Sequence, residues 1–196
     1  MQAISRVFSS CIPSHYQDAN NVAAGPATPN KLKSNMNKRF EQLQSLDRQP
    51  QICYQFAIHA GRAGNTLSQR AEERLMGERN YSQRYKDLMG INANSASGVF
   101  DSRNITESGI LNFEHPQSGT MTHTAYVHRN GDSLQLVHNN GQTLDVQFPR
   151  GPESHGGANI HDISAGSDQN IQNYLQTNGL VFHYSKASEI NDRAGE

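Results

Sequence analysis

The chain has 196 residues and balances 17 Lys and Arg against 18 Asp and Glu, for a formal net charge of −1. That is room for one domain of common size with an added arm or tail, and the balanced charge gives no basic face for nucleic acid. Only 34% of the residues are hydrophobic, and no apolar run approaches the ~18 residues a membrane span needs. The two cysteines, Cys11 and Cys53, make neither a disulfide framework nor a zinc cluster, so no metal or cofactor is called for.

Residues 1–30 read as a flexible arm. The stretch from Met1 to Ser10 is rich in Ser and lacks the apolar core of a Sec-type signal. Asn20 to Asn30, with two prolines and a glycine, is linker-like. The domain proper is predicted over 31–186, with a polar tail over 187–196. Leu32, Met36, Phe40 and Leu43 form one apolar stripe at helical spacing, which Pro50 ends. A second helix is predicted from Ile52 to Ala60, with Cys53, Phe56, Ala57 and Ala60 on one face and Gly61 and Gly64 as its stop. Thr66 and Gln69 resemble a capping box for a third helix, to about Met76. Asn80 or Ser82 caps a fourth, to Met89. Residues 91–118 read as loop with one short element near Ile110.

The pattern then changes to strands. From Met121 to His128, His123, Ala125 and Val127 face one way, while Thr124, Tyr126 and His128 face the other. Asn130-Gly131 is a hairpin signal. Ser133–Asn139 and Thr143–Phe148 are predicted as the next two strands, and 149–166 as a polar Gly-rich loop. Ser167 caps a helix carrying Ile171, Tyr174 and Leu175, and Leu180–Tyr184 is a last strand. Helices fill the first half and an antiparallel sheet the second, which predicts an α+β fold.

Cys53 falls in the first turn of its helix, where unsatisfied amide N–H groups and the helix dipole favour a thiolate. His123 opens the strand after the loop. A thiolate nucleophile needs a base, and the base needs a third group to orient it. Across the hairpin, a two-residue loop sets His123 opposite His138, and one extra residue sets it opposite Asn139. The first register gives the cleaner apolar face, with Leu134 and Leu136.

Cys53-Tyr-Gln-Phe-Ala57 resembles the Cys-aromatic-x-Phe-small run that heads the active-site helix of papain-like cysteine enzymes. His123-Thr-Ala-Tyr-Val127, followed by Leu134-Gln-Leu-Val-His-Asn139, is similar to that family's His strand and the strand ending in its orienting Asn. The resemblance implies Cys53 as nucleophile, His123 as general base and acid, and Asn139 as orienter. The family's oxyanion Gln position holds Asp47 here, with Gln49 and Gln51 as nearby substitutes and the Cys53 backbone N–H as the other donor. The Trp after the orienting Asn and the Gly-rich lead-in to the Cys are absent. In layout the chain resembles type III secreted bacterial effectors, the YopT/AvrPphB-type proteases and OspI-type glutamine deamidases. That likeness implies secretion, delivery into the host cytoplasm, a host protein substrate and a secretion chaperone on the arm. Cysteine protease and glutamine deamidase stay open, as does a non-catalytic interaction module with Cys53 in its core.

Overall fold

A computed structural model describes residues 25–46, 52–139, 153–155, 158–163 and 168–195. Most of the N-terminal arm with Cys11, the segment holding Asp47, Gln49 and Gln51, the predicted strand Thr143–Phe148 and the cap Ser167 lie outside them.

Helix α1 runs Pro29–Ser45, with Pro29 in its first turn, where a missing N–H costs nothing. Its predicted stripe is the buried one: Leu32, Met36 and Leu43 are covered, and Phe40 stacks on Phe56 of the next helix at 4.9 Å between ring centroids. Helix α2 spans Cys53–Ala63 and continues through Gly61 to a cap at Gly64. Gly64 is required by a close approach, since a Cβ there would lie 2.3 Å from the Tyr126 hydroxyl. Helix α3, Gln69–Met76, is capped by Ser68 through the Ala71 amide, two residues after the predicted Thr66. Helix α4, Gln83–Met89, is capped by Ser82.

The sheet has seven strands in the order β1-β7-β2-β3-β4-β6-β5, and each adjacent pair is antiparallel. Strand β1 is Ala96–Ser97, β2 Gly109–His115, β3 Thr120–Asn130 and β4 Ser133–Asn139. Strands β5, Glu153–His155, and β6, Ala158–Asp162, come from sequence read as loop, and β7 is Val181–Lys186. The predicted α+β fold is therefore the observed one.

Two expectations need correction. Residues 91–118 contain the full seven-residue β2, buried from Gly109 to Phe113. A strand covered on both faces loses the alternation by which strands are recognised. The polar tail is instead α6, Ala187–Gly195, which buries Ala187, Ile190 and Ala194. Its three apolar contacts sit among charged residues, too sparse a stripe to read in sequence.

Helices α1, α2, α3, α4 and α6 cover one face, against Ile110, Tyr126 and Val137. Helix α5, Asp168–Asn178, covers the other with Ile171, Tyr174 and Leu175, against Leu111, Phe113, Ala125, Val127 and Leu136. Helix α2 lies across β3 and β4.

One buried charge fastens α2 between its neighbours. The Glu72 carboxylate of α3 accepts from Arg39 of α1 and from Nδ1 of His59 on α2, and Arg62 lies 3.5 Å away. Burial works against the charged form, but His59 and Arg39 outweigh it and hold the Glu72 carboxyl below its ordinary value. Removing the carboxylate would leave these donors facing a dry seam. Glu72→Ala is expected to cost about 3 kcal/mol, read as a lower urea midpoint at unchanged slope. Because the folded pKa is depressed, this stabilisation is full above the unfolded value near ~4.3 and is lost as pH falls through the folded value. The difference between parent and variant should therefore shrink in acid, and a constant difference would sink this account.

Candidate functional site

Cys53 is the first residue of α2, after the exposed Ile52 in extended conformation. It is half-buried and its thiol is free. Burial pushes the thiol's pKa up, and the amides of Thr124, Tyr54 and Cys53 itself, which face the sulfur, pull it partly back. The Thr124 hydroxyl faces it as well.

The position of Thr124 explains how its amide is available. Strands β3 and β4 pair from Asn130↔Ser133 up to Tyr126↔Val137. Thr124 lies beyond the last of these pairs, while β4 stays paired with β6 to Asn139↔Ala158. The thiol thus sits at an open edge of β3, one peptide bond from His123. Charge on Cys53 is felt by Tyr85 in the layer of α2 and by Tyr174 in the layer of α5.

The His123 ring turns to the α5 side. It stacks on Phe113 at 6.0 Å and meets His138 edge to face at 5.4 Å between centroids. Residue 123 is directly opposite Phe113 on β2, and just beyond that pair Thr122 is the extra residue of a bulge. The fold thus brings the backbone of His123 to Cys53 and sends its ring the other way.

The hairpin turn is Gly131-Asp132, with Gly131 at φ +59°, one position later than predicted. Sliding a two-residue turn by one shifts the register by two, which preserves the faces. His138 therefore shares the face of His123, along with Leu134 and Leu136. Asn139, the predicted orienter, alternates onto the face of Val137, is half-buried, and pairs with Ala158. The side chain set against the His123 ring is His138, not Asn139. Gln49, the predicted oxyanion donor, lies outside the described residues.

Residues that sequence reasoning passed over complete the site. Asn112 stands opposite Thr124 on one side and opposite His183 on the other. Its Oδ1 accepts from the Thr124 hydroxyl at 3.1 Å and from the Tyr85 hydroxyl at 2.9 Å, all three residues being fully buried. Tyr54 packs edge-on against Tyr85, at 5.8 Å. The alternation of β3 already put Thr124 opposite the apolar face, but Asn112 was hidden in the segment read as loop. Among the described residues, no group of three His, Cys, Asp or Glu could hold a metal ion, and no helix is long and apolar enough to cross a membrane.

Fold and site together define an α+β domain in which a half-buried thiol heads a helix laid across an antiparallel sheet. Residues 31–194 match the family described as a domain of unknown function, DUF8038, and the chain belongs to that family. No curated protein and no solved structure matches it.

Burial first, and the neighbouring His138 second, hold the His123 pKa well below the ordinary value and favour the neutral imidazole in this fold. The unfolded chain takes up that proton near ~6.5 and the folded chain does not, so stability is fullest above that pH and falls below it, by at most about 1.4 kcal/mol per pH unit for one group. His128, also depressed by burial, adds a slope of the same sign. Melting curves between about pH 5 and 7.5 should decline less steeply for His123→Phe than for the parent. Parallel curves would mean that His123 titrates alike in both states.

Proposed function

We propose that this chain is a thiol-dependent amide hydrolase acting on a protein, with Cys53 as nucleophile and His123 as the group that takes its proton. One observation carries the reading. The thiol at the start of α2 is met by the Thr124 amide, so two segments far apart in sequence meet at the residue beside His123. The amides around the sulfur are the kind of donors that stabilise a developing oxyanion. Peptide cleavage and glutamine deamidation share this chemistry. The composition of the N-terminal arm and the resemblance to secreted effectors support a substrate inside a host cell.

The proposal requires the His123 ring to leave Phe113 and reach the sulfur round the open edge of β3. The packing of that ring on the α5 side, together with the raised thiol pKa, favours a second reading: a non-catalytic module that binds a partner protein. Iodoacetamide labelling of a Cys11→Ser chain at pH 7 decides between them. A base acting on the thiol predicts that His123→Ala slows labelling of Cys53 at least about tenfold, with the melting temperature showing that the variant is folded. Labelling at an unchanged rate would overturn the enzyme reading and leave the binding module.

A further inference from the structure

We propose that Ser95 is a second nucleophile of this chain, a hydroxyl served by His183 as base with Glu114 behind it, which takes the acyl group of an activated ester. The proposal does not depend on Cys53.

Three side chains from distant parts of the chain stand in line. Ser95 closes the turn that leads into β1, and its Oγ lies 2.8 Å from Nδ1 of His183 on β7. On the far side of that ring, Nε2 lies 3.8 Å from Oε2 of Glu114 on β2. Lys86 of α4 approaches the same carboxylate oxygen at 3.4 Å. The imidazole is buried, while Ser95 is half-buried between the exposed Asn94 and Ala96. The base is thus enclosed and the hydroxyl lies toward the surface.

Proton counting gives the direction of the relay. A neutral imidazole carries one hydrogen, and the partner of each nitrogen decides where it sits. A carboxylate only accepts, so Glu114 draws the hydrogen to Nε2, even at a separation longer than a hydrogen bond. Nδ1 then presents a lone pair to the Ser95 hydroxyl. That hydroxyl has a rival acceptor in the Asn92 carbonyl at 2.9 Å, but the Ser95 amide already donates there at 3.1 Å. The Asn92 carbonyl is therefore satisfied without the hydroxyl, whereas Nδ1 is not. The Asn92 amide donates to Oγ at 3.0 Å and fixes the oxygen in place. Burial, opposed by Glu114 and helped by Lys86, keeps the His183 pKa below its ordinary value, which favours the free base at neutral pH.

The reaction this permits is acyl transfer. Ser95 Oγ bonds to the ester's carbonyl carbon as its proton passes to Nδ1 of His183. The resulting imidazolium has the Glu114 carboxylate on its other side. The bond from the carbonyl carbon to the leaving oxygen then breaks, and that oxygen keeps the electron pair and takes the proton from His183. The products are acyl-Ser95 and an alcohol. An aryl ester fits best, because its leaving group departs with little help from a proton.

The test uses the full chain carrying Cys11→Ala and Cys53→Ala, so that no thiol competes. It is treated with p-nitrophenyl acetate at pH 7.5 and mapped by peptide mass spectrometry. Ser97, half-buried and bonded to the Val99 carbonyl, is the internal control. Ser95 should be acetylated at least about tenfold faster than Ser97, and His183→Gln should bring the two rates together. Glu114 acts as a positioning residue, and its charge raises the pKa of the base. Glu114→Gln should therefore move the rate–pH profile of Ser95 to lower pH. Lys86→Gln removes a charge that lowers it, and should move the profile to higher pH. Merely structural roles predict no such opposed shifts. The proposal is overturned if Ser95 reacts no faster than Ser97, if His183→Gln has no effect, or if both variant profiles coincide with the parent. Should His183→Gln fail to fold, the Ser95 to Ser97 ratio and the two profile shifts decide it. Because the tested chain has no thiol, failure here leaves the reading of Cys53 untouched.

Discussion

Everything at this site follows from the confinement of β3. The strand is buried on both faces from His123 to His128, so each side chain is committed to one of two layers by its parity alone. Tyr126 and His128 go to the layer of the N-terminal helices. There His128 donates from Nε2 to the Ala27 carbonyl and receives the Tyr126 hydroxyl at Nδ1. Ala125 and Val127 go to the layer of α5. At the open edge beyond Tyr126↔Val137 the strand's backbone can be reached, and Cys53 meets the Thr124 amide there. The site exists because α2 is long enough to reach that edge and its first residue is small enough to fit there.

The two ends of α2 treat charge in opposite ways. At the His59 and Arg62 end, a buried carboxylate is admitted because several donors surround it and repay its desolvation. At the Cys53 end, no cation among the described residues acts on the sulfur in the same way. The sulfur meets the amides of Thr124, Tyr54 and Cys53 and the Thr124 hydroxyl, and the imidazole of His123 is shut away from water. A thiolate–imidazolium pair formed there would desolvate two ions for one contact, whereas the neutral pair desolvates none. Burial drives the thiol up and the imidazole down, so both shifts point to neutral partners.

Legibility in the sequence followed the strength of each local signal. The stripe Leu32, Met36, Phe40, Leu43 and the alternation through Tyr126 were readable because each element has one dry side. Strand β2 was not, because Gly109–Phe113 is dry on both sides. The hairpin was found but its turn lay one residue later: Gly131 takes the positive φ, and Asn130 pairs with Ser133 instead of turning. That slip left the faces intact, and so favoured His138 over Asn139. The Cys53 and His123 segments were legible as neighbours. The direction of the His123 ring was legible too, because alternation sets it with Ala125 and Val127, on the α5 side.

The identity of His123's neighbour bears on how far this site could go as a catalyst. An orienting carboxylate would raise the proton affinity of the base, and an orienting amide would leave it nearly unchanged. His138 lowers it, since a proton on one ring repels a proton on the other. An edge-to-face contact also fixes the ring by packing, which sets its plane without choosing which nitrogen carries the hydrogen. An imidazole so depressed would accept a thiol proton only if something else stabilised the charge that results. The amides of Cys53, Tyr54 and Thr124 can do that for negative charge on the sulfur or on a carbonyl oxygen beside it. The driving force for proton transfer would then come from the substrate's approach to these amides, and not from a preformed ion pair.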